Sequence, residues 1–124
     1  MKTDNTQFSL AILTISDAGA KGERADTSGD AISEIMAHEG FNQVRRGVVP
    51  DEKELISERL SEWCDTGGVD LVLTTGGTGL GPRDVTPEAT RAVVEIEVPG
   101  ITEAMRIETL KNTPLSMLSR SVAG

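Results

Sequence analysis

The stretch DLVLTTGGTGLGPRDVTPEAT, Asp70 to Thr90, decides how the rest of the chain is read. Leu71, Val72, Leu73, Thr74 and Thr75 form an apolar, β-branched run of strand character. A loop follows that holds Gly76, Gly77, Gly79 and Gly81, then Asp84, and then Thr86-Pro87-Glu88. That last triplet is a helix-start signal, with Thr86 as N-cap and Pro87 at the first helical position. The unit is a strand, a glycine-rich turn and a helix. Such glycines let the backbone take positive φ and approach a ligand closely, while a helix start turns free N–H groups toward negative charge. A tight turn that only needs small residues remains one use of the pattern; a phosphate or anion site is the other, and the carboxylate beside the helix start favours it. Known nucleotide loops do not fit. There is no Lys between Lys53 and Lys111 to close a phosphate-binding P-loop, and Gly77-Thr78-Gly79-Leu80-Gly81 lacks the third-glycine spacing of the dinucleotide fingerprint.

Outward from this unit, the chain alternates strands and helices. Phe8 to Ile15 is a near-continuous apolar run, the pattern of a central parallel strand buried on both faces. It ends at Ser16-Asp17, and Ala18 to Thr27 reads as a polar loop. Thr27 or Ser28 caps a predicted helix with Ala31, Ile32, Ile35 and Met36 at helical spacing and Gly40 as its stop. His38, in the last turn, reads as a helix-dipole partner or a surface residue. Phe41 to Val49 is a weaker strand suited to a sheet edge, and Pro50 ends it. From Asp51 a second helix carries Leu55, Ile56, Leu60, Trp63 and Cys64 on one face until Gly67-Gly68. The helix after the glycine loop is expected to run through Ala89, Ala92, Val93 and Ile96 to Pro99-Gly100, followed by a last helix from Ile101 to about Lys111 and a tail from Leu115 to Gly124. This βαβαβα order predicts an α/β fold: three layers, a mostly parallel sheet with helices on both faces, and strand order 2-1-3. Ligands of such sheets gather beyond the carboxyl ends of the strands, where the loops after all three strands meet.

Composition narrows the function classes. A chain of 124 residues is expected to form one domain. Twenty acidic against 12 basic residues, a net charge of −8, argue against nucleic acid as a partner, since that affinity comes from Lys and Arg neutralising phosphates. A small anion held by N–H groups and a metal is compatible with the same charge. Cys64 is the single cysteine, so no disulfide framework or cysteine metal cluster exists, and it reads as a buried, inert thiol. Met1 to Gln7 is polar and no run has the length of a membrane span, so the expectation is a cytoplasmic protein with no membrane partner.

Two carboxylates carry the candidate chemistry. Asp51 after the second strand and Asp84 in the glycine loop suit a hydrated Mg²⁺, which takes one or two carboxylates together with substrate phosphate oxygens. Each also has a local use: Asp51 with Glu54 is a capping-box variant, and Asp84 is placed to cap the next turn or to pair with Arg83.

Nearly the whole chain resembles the molybdenum-cofactor biosynthesis family that includes bacterial molybdopterin adenylyltransferase, its plant counterpart domain and the gephyrin-type domain. The resemblance rests on Thr75-Gly76-Gly77-Thr78-Gly79, on Pro82-Arg83-Asp84-Val85-Thr86-Pro87-Glu88-Ala89-Thr90, and on Pro50-Asp51-Glu52. It implies that Asp51 and Asp84 are catalytic and metal-binding, acting with Mg²⁺ to transfer AMP from ATP to molybdopterin. It further implies that Gly76, Gly77, Thr78 and Gly79 line the nucleotide. Ser16, Asp17 and Asp26, with Ser119 and Ser121 of the tail, would lie on the pterin and phosphate side. A homotrimer or higher homo-oligomer is the family expectation, and a non-catalytic molybdopterin-binding or scaffold module is the alternative function. Residues 1–124 would form a single molybdopterin-binding domain lacking the family's C-terminal strand and helix, as though the chain were truncated after Gly124.

Overall fold

The computed structural model describes residues 7–124, so of the polar stretch Met1 to Gln7 all but the last residue lies outside the described residues. Strand β1 (Ser9–Ile15) is central. It pairs in parallel with β2 (Asn42–Val49) on one side and β3 (Leu71–Thr75) on the other, giving the expected order 2-1-3. Leu10, Ala11, Ile12, Leu13 and Ile15 are at most 2% exposed, as a continuous apolar run between two faces requires. The β2 register slips opposite Leu10 and Ala11, which skips Val44 and leaves a bulge at the start of the edge strand. Beyond it the pairs Ile15–Val49 and Thr14–Thr75 bring all three strand ends to one edge.

The helices cover the sheet with several departures from the expected bounds. A one-turn helix α1 (Asp17–Ala20) stands where the sequence reads as loop, because the Ser16 hydroxyl accepts the Gly19 N–H at 3.0 Å and closes a turn. Helix α2 (Thr27–His38) is capped by Asp26 rather than by Thr27 or Ser28, and Gly40 lies just past its end at φ +86°. Of its apolar positions Ile32 and Met36 are half-buried, whereas Ala31 and Ile35 face solvent. His38 is exposed.

Helix α3 (Lys53–Asp65) buries Ile56, Leu60 and Trp63 at i, i+4 and i+7 against Ala11, Leu13, Ile15 and Val49. Leu55 and Cys64 fall outside that stripe and are exposed, so Cys64 is not the buried thiol expected. Helix α4 (Thr86–Arg91) is shorter than predicted: the N–H groups of Val93 and Val94 both converge on the Thr90 carbonyl, at 3.0 Å each, and Ile96 lies beyond the helix at 76% exposure. Pro99-Gly100 does not stop a helix. It opens α5 (Pro99–Thr109), the first helical turn being where a residue without an N–H costs nothing. The tail makes a 3₁₀ turn at Pro114–Leu118 and then runs extended alongside the glycine loop, with the Arg120 N–H bonded to the Thr78 carbonyl at 2.8 Å.

Candidate active site

Strand register delivers three loops to one edge of the sheet, and Asp17 joins them. The Asp17 N–H donates to Asp51 Oδ2 at 2.9 Å, and the Asp51 N–H donates to Asp17 Oδ1 at 3.0 Å, a reciprocal exchange between the loops after β1 and β2. From the third loop Arg83 closes on the same carboxylate, Nε to Oδ2 at 3.1 Å and Nη2 to Oδ1 at 2.8 Å. Arg83 therefore pairs with Asp17 and not with Asp84. Asp51 is not a helix cap either. The N-cap of α3 is Glu52, which makes no side-chain cap bond.

The glycine loop packs directly on this cluster. Gly76 has φ +100°, and a Cβ there would overlap the Ile15 carbonyl of the central strand. Gly77 has φ +68°, and its Cβ would strike Thr86 Oγ1 and lie 3.0 Å from Asp51 Oδ1. Further along, Asp84 Oδ2 accepts the Gly81 N–H at 2.9 Å and would stand 2.9 Å from a Cβ at Gly79 or at Gly81. One loop thus has the Asp51 carboxylate against its first part and the Asp84 carboxylate against its second. Thr86 is not the cap of α4, a place held by Val85 without a side-chain bond. Its hydroxyl donates to the Gly76 carbonyl at 2.8 Å and its N–H to the Gly77 carbonyl at 3.1 Å. With Thr86 so engaged and Pro87 lacking an N–H, the donors offered to an anion here are those of the loop rather than of the helix start.

The carboxylates differ in their charge environment. Hydrogen bonds from Arg83, and then from the Asp51 N–H, hold the Asp17 carboxyl below the usual range. Asp51 is pushed up on balance: burial is the largest cause, the bond from the Asp17 N–H works against it, and the negative charges of Asp17 and Asp84 add to the rise. An aspartate disfavoured as an anion by two neighbouring carboxylates stands where added positive charge is stabilising. Among the described residues no three acidic, His or Cys side chains form a ready-made metal cage. Asp51 and Asp84, both against the glycine loop, are oxygen donors of the kind a hydrated Mg²⁺ takes together with water and phosphate oxygens.

Other expected site residues lie around the cluster. A cavity of about 200 Å³ beside β1 and β3 is lined by Thr14, Ser16, Arg24, Asp26, Ser28 and Gly76 among others. Within it, Asp26 accepts the Thr14 hydroxyl at 2.9 Å, the Gly29 N–H at 3.0 Å and Arg46 Nη2 at 3.1 Å. Burial raises the Asp26 carboxyl, but the bonds from Gly29, Arg46 and Thr14 together bring it below its ordinary value. Ser16 and Asp26 are therefore grouped with each other on the α2 side, while Asp17, Asp51 and Asp84 are grouped on the α3 and α4 side; Gly76 lines the cavity of the first group and Gly77 lies against Asp51 of the second. In the tail the Ser119 and Ser121 hydroxyls lie 3.2 Å apart, while Arg120 between them reaches Gly79, Asp84 and Glu88. Arg120 and the Arg83–Asp17 pair were not legible as site features. Their contacts span 32 or more positions, and no local pattern announces them.

Comparison with known proteins agrees with this fold. The molybdopterin adenylyltransferase of Helicobacter pylori strain J99 is 43% identical over 117 residues, covering 93% of this chain and 66% of the relative. The protein of the same name from Escherichia coli K12 is 38% identical over 115 residues, 91% of this chain and 59% of the relative. The chain thus spans about six-tenths to two-thirds of the length of these curated relatives. The crystal structure of the molybdopterin biosynthesis enzyme MoaB from Thermus thermophilus superposes with a TM-score of 0.88 at 51% identity, over 95% of this chain and 74% of that one. Residues 11–124 match the family described as "Probable molybdopterin binding domain", and with the fold, the loop and these relatives in agreement, the chain belongs to that family.

Proposed function

We propose that this chain is a molybdopterin adenylyltransferase, transferring AMP from ATP to molybdopterin with Mg²⁺. The observation that carries the reading is the placement of Asp51 and Asp84 along one glycine loop at the carboxyl edge of the sheet. An acceptor oxygen of molybdopterin bonds to the α-phosphorus of ATP as the bond to pyrophosphate breaks, leaving adenylylated molybdopterin. Positioning and charge neutralisation dominate such transfers, so little covalent chemistry is asked of the protein. Held by Asp51 and Asp84, Mg²⁺ would neutralise the triphosphate charge. Gly76, Gly77, Thr78 and Gly79 line the nucleotide, the loop offering its backbone N–H groups to phosphate oxygens. Ser16 and Asp26 serve the pterin and its phosphate from the α2 side and Asp17 from beside Asp51, with Ser119 and Ser121 closing from the tail. Asp17 keeps Asp51 in place through the reciprocal bonds.

The same reading takes the protein as cytoplasmic and as a homotrimer or higher assembly. Exposed Ile101, Met105 and Ile107 on α5 support self-association. Mass detection of adenylylated molybdopterin after mixing the chain with ATP, Mg²⁺ and molybdopterin tests the reaction. Molybdopterin binding with no adenylylated product would make the chain a binding or scaffold module instead.

A further inference from the structure

Arg120 makes a set of contacts that the adenylyl-transfer reading leaves unused. Its Nε donates to the Gly79 carbonyl at 2.9 Å, its Nη2 to the Asp84 carbonyl at 2.8 Å, and its own N–H to the Thr78 carbonyl at 2.8 Å. Glu88 of α4 holds the guanidinium from the other side, through Nη1 at 2.8 Å and Nη2 at 3.3 Å. The carbonyl and N–H of a trans peptide point in opposite directions. Three peptide units with their oxygens drawn to Arg120 therefore turn the N–H groups of Gly79, Leu80 and Val85 to the far side of the loop. Among the described residues these three N–H groups have no acceptor within the protein. A loop carbonyl turned the wrong way would instead present its oxygen to an anion and repel it.

We propose that Arg120 is a positioning residue, fixing the amide directions of loop 78–85 so that the Gly79, Leu80 and Val85 N–H groups are offered together to the phosphate oxygens of a nucleotide. The inference rests on the nucleotide reading of the loop. It requires arginine specifically, because only a planar fork meets two carbonyls and a carboxylate at once, whereas a lysine ammonium is a single point on a flexible stem.

Arg120→Lys and Arg120→Ala, beside the parent chain, test it by calorimetric titration with Mg-ATP, by thermal melts and by amide hydrogen exchange over residues 78–85. Arg120→Lys is expected to keep its melting temperature within a few degrees, to exchange faster over 78–85, and to bind Mg-ATP roughly tenfold more weakly, a change of about 1.4 kcal/mol. Millimolar guanidinium added to Arg120→Ala is expected to recover part of the lost affinity and to slow exchange in the loop. Parental affinity and parental exchange in Arg120→Lys would overturn the proposal, as would lost affinity with unchanged exchange. A parent chain that does not bind Mg-ATP would overturn the nucleotide reading itself. Exchange in Arg120→Lys would then decide separately whether Arg120 sets the loop.

Discussion

At Asp51 the structural and chemical demands on one side chain separate cleanly. Its carboxylate accepts the Asp17 N–H, a role an Asn oxygen fills equally well, while burial and two neighbouring carboxylates disfavour its charge. Asp51→Asn is therefore expected to melt at or slightly above the parent temperature yet to lose transfer on the order of 10²-fold or more, as removal of a metal-directed carboxylate implies. Thermal melts beside product assays check both halves, and parental turnover would remove Asp51 from the chemistry. Asp51→Ala should be less stable by about 1 kcal/mol, because the Asp17 N–H then loses its acceptor. Gly77→Ala strains a different term. With φ +68° and a Cβ aimed at Thr86 Oγ1, it should cost about 1–3 kcal/mol in denaturant unfolding. The candidacy of Asp51, Asp84 and Gly77 was legible in sequence. The exchange with Asp17 was not, because two aspartates satisfying each other's backbone 34 positions apart follow from parallel strand register rather than from any local pattern.

Helix α2 shows how a cap couples an element to the sheet. Asp26 bonds the Gly29 N–H as cap, takes the hydroxyl of buried Thr14 on β1, and pairs with Arg46 on β2. Asp26→Ala should thus cost more than an isolated cap, about 2 kcal/mol or somewhat above, because a buried hydroxyl loses its partner as well. Asp26→Asn should recover part of that loss, and urea unfolding of both variants checks the order. The sign of the pH effect follows from a folded-state carboxyl held below its unfolded value: the contribution is present above the unfolded value near 3.8 and is lost as pH falls through the lower folded one. Apart from the one-turn α1, which the sequence reads as loop, the existence of the helices was readable, but their termini were not. Thr27 and Ser28 are as good caps by type as Asp26, and the choice went to the side chain that also met Thr14. At α4 and α5 the sequence rule that Pro-Gly ends helices yielded to the rule that Pro starts them, since Pro99 has Val98, not a helical residue, before it.

For the molecule as a whole, acid should unfold the chain through several carboxylates acting together. Arg83 holds Asp17 low, Arg120 holds Glu88 low, and Asp26 is lowered on balance, so all three must be protonated out of favourable contacts below about pH 4. Asp51, raised, works the other way: its destabilising contribution is relieved as pH falls through its folded value. Circular dichroism against pH should show a midpoint moving upward in Arg120→Lys if the Glu88 pair matters. Strand order and the shared edge of the loops were legible because they follow from alternation and from the apolar density of β1. The tail's return across the loop was not, because it depends on a single arginine meeting carbonyls from a distant segment. That same three-stranded order has a further consequence for handling the protein. Strand β3, LVLTT, pairs among the described residues only with β1, so its outer rim presents open backbone donors and acceptors on a run free of charge. Such rims recruit one another. Concentrated or partly unfolded samples should therefore form cross-strand ribbons that seed at β3, detectable as thioflavin fluorescence, and the gatekeeper substitution Leu73→Lys should suppress them, whereas β2, already guarded by Arg45, Arg46 and the bulge at Val44, should stay out of the fibre.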